Sequence, residues 1–208
     1  MNDSLFSARL CREYPSRLAI VGNGDNCTYE DMHRGIRGLA RKLAEMGVAK
    51  GSRVALWGYN SANWLIAFFA IVRAGGTAVL VNYSMSSGEA AGLLSMTGTE
   101  FLLCGDNGET KKNPDAMRTL ASLASIPEER CLDIRSAVDL EHLFPDAGEF
   151  PDTRGESETE DTAFIIFTSG TTSMPKAVQV SQKALTFDAD AFIENISGHA
   201  GRSICAPC

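Results

Sequence analysis

The sequence predicts an α/β fold, a parallel-rich sheet layered with helices, on three observations. Segments with apolar residues at helical spacing alternate with short apolar runs. The junctions between them carry capping residues or glycines. The chain, at 208 residues, is long enough to bury a sizeable core.

Each element follows in order. After a short N-terminal helix, Leu18 to Val21 reads as a strand, and the cluster from Gly22 to Asn26 reads as a hairpin turn. Thr28-Tyr29-Glu30-Asp31 has the form of a capping box opening a helix. Met32, Ile36, Leu39, Leu43 and Met46 then recur on one helical face until Gly47 stops the run. Arg53 to Trp57 is a buried strand. Ser61 can cap the next helix, with Trp64, Leu65, Phe68, Ile71 and Val72 on one face, and Gly75-Gly76 ends it. Thr77 to Val81 is a second buried strand. Ser86 and Glu89 suit another capping box, and Phe101 to Cys104 is a further short apolar strand. From Asp106 to about Asp161 the pattern weakens, with one helix expected at Ala116 to Ser125 between Pro114 and Pro127. Residues 144–161 are rich in Asp, Glu, Gly, Pro and Thr without apolar periodicity, and read as an acidic linker or exposed loop. That divides the chain into an α/β portion at 1–143, the linker, and a portion beginning at 162.

Composition excludes several functions. The formal net charge is -7 and the Lys and Arg residues are scattered, which disfavours nucleic acid as a partner. No basic and apolar leader opens the chain, and the longest apolar run, Trp64 to Val72, is too short to span a bilayer. A cytoplasmic location with reduced thiols is expected. The six cysteines are spread out; only Cys205 and Cys208 form C-x-x-C, with no second pair at zinc-site spacing. His33, His142 and His199 are isolated, and Cys11 and Cys131 have no activating neighbour in the sequence. Trp57, Trp64, Phe68 and Phe69 read as core or helix-packing residues.

One segment carries chemistry. Ala163 to Phe167 is a buried-strand signature that runs into Thr168-Ser169-Gly170-Thr171-Thr172-Ser173-Met174-Pro175-Lys176-Ala177-Val178. Five of the six residues from Thr168 to Ser173 bear hydroxyls and the other is Gly170. Such a loop offers many donors and little bulk, so it can wrap a phosphate chain, and Lys176 adds a mobile charge at its far end. Composition alone also allows a plain turn that caps a helix. The P-loop of nucleotide triphosphatases does not fit: Pro175 replaces its second glycine and Ala177 its magnesium-binding hydroxyl.

Phe167 to Val178 resembles the signature of the adenylate-forming superfamily, which includes acyl-CoA synthetases, luciferases and peptide-synthetase adenylation domains. There an aromatic precedes T-S-G-T-T-G-x-P-K-G-V. Thr28 to Asp31 resembles the family's T-Y-x-E-L, and Gly47 to Ala55 its G-V-x-K-G-D-R-V-A with Ser52 in place of the acid. Asn60-Ser61, Ala74-Gly75 and Val81-Asn82 fall in the family's order as well. Ser173 and Ala177 stand where the family has glycines; a positive φ at either place would cost energy, so a stiffer or slightly shifted loop is expected.

The resemblance implies an incomplete N-terminal AMP-binding domain spanning 1–208, in which 162–208 begins the phosphate-binding portion. Thr168 would be the magnesium partner. Ser169, Gly170, Thr171 and Thr172 would cradle the β- and γ-phosphates of ATP, and Lys176 would pair with them, Lys176 and Thr172 serving catalysis. The implied reaction is attack of a small-molecule carboxylate, such as a fatty acid, on the α-phosphorus of ATP with Mg2+, then transfer of the acyl group to CoA. Ser203 to Cys208 resembles a strand entering the family's next conserved stretch, so the remainder of the large domain and the C-terminal domain are expected to be absent. The isolated chain is accordingly expected to be inactive and to self-associate as a homo-oligomer through exposed apolar surface and an unpaired strand edge. Two other readings stay open: an amino-acid-activating domain that loads a carrier protein, and a non-catalytic nucleotide-binding relative.

Overall fold

A computed structural model of the protein describes residues 8–22, 26–135, 160–168 and 175–196. Helix α1 (Ala8–Glu13) leads into a small antiparallel pair, β1 (Leu18–Ile20) with β2 (Cys27–Thr28). There follow α2 (Tyr29–Glu45), β3 (Arg53–Trp57), α3 (Ala62–Arg73), β4 (Thr77–Val81), α4 (Ser87–Thr97) and β5 (Phe101–Cys104). Helix α5 (Ala116–Leu123), a 3-10 turn at Glu128–Arg130 and β6 (Cys131–Asp133) come next. After residues 136–159 the described chain resumes with β7 (Thr162–Thr168), β8 (Lys176–Ser181) and α6 (Gln182–Ile196).

Local chemistry sets the helix starts. Thr28 Oγ1 accepts from the Asp31 backbone N at 3.1 Å, and the Asp31 carboxylate accepts from the Thr28 N at 3.1 Å. Ser86 and Glu89 make the same reciprocal pair at 3.3 and 2.9 Å, and the hydrogen bonds from Ser86 hold the Glu89 carboxyl below its ordinary pKa. Helix α4 ends at Gly98, whose φ of 59° is left-handed.

Six strands form one sheet in the order β6-β5-β3-β4-β7-β8. All neighbouring pairs are parallel except the last, where β8 runs antiparallel to β7 at the edge. Helices α2 and α3 cover one face, where Ile36, Leu39, Leu43, Ile66 and Ile71 pack on Val54, Leu56 and Leu103. Helices α4 and α5 cover the other, where Leu94 and Leu120 pack on Ala55, Trp57, Val79 and Leu102. Alternate residues of each central strand thus enter opposite cores, and strands buried on both faces read as continuous apolar runs.

Three details depart from the sequence reading. Helix α3 buries Ala62, Ile66, Ala67, Ala70, Ile71 and Val72 and leaves Trp64 and Leu65 half-buried, because it is wedged between the sheet and α2. Trp64 instead stacks on Phe68, with ring centroids 6.0 Å apart and planes 2° apart. Strand β6 was not anticipated: its three residues are too few and too mixed for any periodicity, and only pairing with β5 makes them a strand. Helix α5 stops at Leu123, short of the expected Ser125. The turn at 23–25, most of the acidic stretch, His142, His199 and Ser203 to Cys208 lie outside the described residues.

Candidate functional site

Strands β3 to β7 are parallel, so their carboxyl ends share one edge of the sheet. Open α/β sheets bind ligands outside that edge, where neighbouring strands send the chain in opposite directions. Two such points exist here. At the first, β3 continues toward β4 while β5 continues toward β6. It is filled by backbone: the Gly105 N donates to Trp57 O at 2.8 Å and the Tyr59 N to Asp106 O at 2.6 Å. A Cβ at Gly58 would stand 3.1 Å from the Gly105 Cα, so only glycine lets these two loops touch.

The second point lies between β4 and β7, whose pairing stops at Val79 and Ile165. Strand β4 sends the chain back across the sheet through α4, while β7 turns outward into β8. The pairing of β4 with β7 covers Ala78↔Phe164 and Val79↔Ile165 only, whereas β7 and β8 stay paired out to Thr168↔Lys176. The β7–β8 hairpin therefore outruns its contact with β4. Its base is anchored from the body of the domain. Thr77 Oγ1 donates to the Thr162 carbonyl at 3.1 Å, and Lys50 Nζ lies 3.1 Å from the Asp161 carboxylate.

Thr168 and Lys176 face each other as the last rung of the hairpin, on either side of the hydroxyl-rich loop. Directly opposed residues share a face of the sheet, with Cβ atoms roughly 4.5–5.5 Å apart. Both are exposed. Of the residues expected from the sequence to form the site, these two are placed, and they are brought together. Ser169, Gly170, Thr171 and Thr172 lie outside the described residues, as does Ser173.

Ala177 needs a correction. It stands within β8, opposite Phe167, and among the described residues the only non-glycine with positive φ is Ser125. Alanine at 177 is therefore extended and unstrained, and it gives no reason for a stiffer loop. Ala177→Gly is expected to lower stability by about 0.5–1 kcal/mol without raising any activity. Chemical denaturation of the two proteins measures the difference.

The other reactive side chains are quiet. His33 on α2 is half-buried; burial, then the charges of Arg37, Arg73 and Arg12, hold it below the ordinary histidine pKa. Burial pushes the Cys104 thiol up to about 12, with the Asp133 charge adding to it, and Cys131 up to about 11. Both thiols stay protonated in the folded state near neutrality. Iodoacetamide at pH 8 is expected to leave Cys104 unmodified in the native protein and to label it after denaturation, read by peptide mass spectrometry. Among the described residues no three His, Cys, Asp or Glu groups stand together as a metal site, and no helix is long and apolar enough to cross a membrane.

Sequence reasoning missed a tyrosine pair at the carboxyl edge of the sheet. Tyr83 lies two residues beyond β4, and its ring centroid is 4.9 Å from that of Tyr59, two residues beyond β3. Neither ring has a periodic signal, because both belong to loops.

Comparison with known proteins agrees with this architecture. A family model described as AMP-binding enzyme matches residues 7–206. The 2-succinylbenzoate–CoA ligase of Bacillus subtilis is 27% identical over 165 residues, covering 79% of this chain and 30% of that protein. A nonribosomal peptide synthetase from Leptosphaeria maculans is 25% identical over 197 residues, covering 92% of this chain and 8% of its own length. The structure of o-succinylbenzoate coenzyme A synthetase from Bacillus subtilis in complex with AMP superposes with a TM-score of 0.74 at 23% identity, over 97% of this chain and 37% of that one. The chain thus spans no more than 37% of the length of these proteins. On a match that runs over nearly its whole length, and a fold to go with it, the chain belongs to the AMP-binding enzyme family.

Proposed function

We propose that this chain supplies the ATP-phosphate-binding part of an enzyme that activates a carboxylate as its acyl-adenylate and passes the acyl group to the thiol of CoA. The observation that carries the reading is the hydroxyl-rich sequence that follows the carboxyl end of β7 at the switch point between β4 and β7, bounded by Thr168 opposite Lys176. In this reading residues 1–143 form the supporting α/β portion, 144–161 a linker, and 162 onward the start of the phosphate-binding portion. Ser169, Gly170, Thr171 and Thr172 cradle the β- and γ-phosphates with backbone N–H groups and hydroxyls. Lys176 holds its ammonium at the loop's mouth as a point charge for a phosphate oxygen.

The chemistry asks little covalent work of these residues. A carboxylate oxygen forms a bond to the α-phosphorus as the α–β bridging bond breaks, and pyrophosphate leaves with the extra charge. Donors fixed in advance around the β- and γ-phosphates stabilise that charge as it develops. In the second step the thiol sulfur bonds to the acyl carbon, the thiol proton is lost, and AMP departs. Magnesium fits this arrangement as part of the nucleotide complex: it takes oxygen ligands mainly from phosphates and water, and Thr168 would offer one hydroxyl. Its contribution when bound is to neutralise phosphate charge.

A second acceptor is favoured by the similarity to a peptide synthetase, namely a carrier protein's thiol. Both variants share the first half-reaction. The test is carboxylate-dependent exchange of labelled pyrophosphate into ATP, run on the longest native gene product with fatty, aromatic and amino acids. Exchange with one class names the substrate; no exchange with any carboxylate rejects the adenylation reading in favour of a non-catalytic relative.

A further inference from the structure

We propose that Thr77 and Asp161 are positioning residues for the first half-reaction: with Lys50 they lock the register of β7 on β4, and so set where the Thr168–Lys176 rung stands on the carboxyl edge of the sheet. That role rests on the reading above, in which the segment between Thr168 and Lys176 handles the phosphates of ATP. The pairing of β7 with β4 is short, Ala78↔Phe164 and Val79↔Ile165, whereas its pairing with β8 runs on to Thr168↔Lys176. Apolar pattern does little to fix that short pairing. The strand is apolar at every position from Ala163 to Phe167, so a slip along β4 exchanges one apolar residue for another. An alternating strand would instead turn its polar face inward.

Directional contacts at the amino end of β7 supply what the pattern lacks. Thr77, buried as the first residue of β4, donates from Oγ1 to the Thr162 carbonyl at 3.1 Å. Lys50 Nζ lies 3.1 Å from the Asp161 carboxylate, whose side chain is 29% exposed. Both anchors belong to one braced corner of the domain. The Gly51 N donates to the Gly75 carbonyl at 3.2 Å and the Thr77 N to the Ser52 carbonyl at 2.8 Å. Gly75 has a φ of 87°, and a Cβ there would stand 3.2 Å from the Lys50 N, so glycine lets the two turns close. On the other side, Glu160 to Thr162 hold the hairpin and its helix. The Gln182 N at the start of α6 donates to the Asp161 carbonyl at 2.9 Å, and Thr162 Oγ1 donates to Gln179 Oε1 on β8 at 3.2 Å. Lys183 pairs with Glu160 at 2.7 Å.

Strands β7 and β8 and helix α6 therefore move as a unit whose place on the sheet is set by one short ladder and by the contacts at its base. Phe164 also packs on Phe68, with ring centroids 6.0 Å apart, which adds attraction but little direction. The strand carries any shift to its far end: a slip of one residue moves the Thr168–Lys176 rung by about 3.3 Å. Donors aimed at charge that develops on phosphates lose most of their effect over such a distance, since a misplacement of about 1 Å can already cost ~10²-fold. Thr77 and Asp161, roughly 20 Å along the strand from the rung, thus control the rate without touching the substrate.

The test uses the complete protein and the carboxylate identified by pyrophosphate exchange. The double variant Thr77→Val/Asp161→Asn removes the hydroxyl and the carboxylate charge while nearly keeping the volumes. It is expected to lower kcat for pyrophosphate exchange by about 10–100-fold and to raise KM for ATP less than about threefold. Thioester formation from preformed acyl-adenylate should change less than about twofold, whereas a purely structural role would lower both half-reactions together. Thr77→Ser keeps the hydroxyl and should restore the wild-type rate. Amide hydrogen exchange, read by mass spectrometry, follows the register without any activity. Peptides from β7 and β8 of the double variant should exchange about tenfold faster than in the wild type, and those from β3 and β5 at the wild-type rate. Equal loss in both half-reactions, an unchanged rate of pyrophosphate exchange, or unchanged amide protection in β7 would overturn the lock. No pyrophosphate exchange in the wild type would remove the adenylation reading itself, and amide protection in β7 would still decide whether Thr77 and Asp161 hold the register.

Discussion

Lys176→Ala in the complete protein is expected to slow carboxylate-dependent pyrophosphate exchange by about 10²–10³-fold, while thioester formation from preformed acyl-adenylate falls less than threefold. The asymmetry follows from position. Lys176 is the first residue of β8 and faces Thr168 across the rung that closes the loop, so its charge stands at the loop's mouth. Charge on the β- and γ-phosphates grows only while the α–β bond breaks, and preformed adenylate has no such phosphates. Thr172→Ala should show the same asymmetry with a smaller loss, since it removes one neutral donor. Lys176→Arg should recover part of the rate, because charge returns but the guanidinium is a planar fork rather than a compact ammonium. Half-reactions measured separately decide the matter: equal loss in both would mean that the loop does something other than handle phosphates.

The second large effect is on stability. Trp57→Ala is expected to cost about 3–5 kcal/mol and to lower the melting temperature by roughly 6–20 °C. The side chain is fully buried at the end of β3, in the core shared with Val79, Leu94 and Leu102. Its indole N–H, however, has no hydrogen-bond partner among the described residues. Trp57→Phe should therefore cost less than about 1.5 kcal/mol, because removing a buried unpartnered donor offsets part of the lost packing. Differential scanning calorimetry on the two variants separates volume from polarity. A phenylalanine variant as unstable as the alanine one would show that the N–H is bonded in solution.

What could be read in advance divides along a physical line. Capping boxes at Thr28–Asp31 and Ser86–Glu89 were legible because their hydrogen bonds span three residues, and the structure makes both. Strands β3, β4 and β5 were legible to the residue because each is apolar on both faces and bounded by turn chemistry. The hydroxyl-rich character of the segment from Thr168 to Ser173 was legible by composition. Strand β6 did not, since three residues have no period, and the Tyr59–Tyr83 pair did not, since loop residues meet through space. The penalty expected of Ala177 was an error of the same kind: the motif placed it in a loop, but pairing with Phe167 puts it in a strand.

By itself, then, the sequence determined the element types, most of their ends and the family, because local hydrogen bonding, apolar period and motif order are properties of neighbouring residues. Tertiary structure alone decided the strand order, and with it where the two switch points fall. Close contact of Gly58 with Gly105 fills one, and at the other the pairing of β4 with β7 stops at Ile165. Those outcomes depend on which segments meet after the chain has crossed the sheet, and no local pattern encodes that meeting.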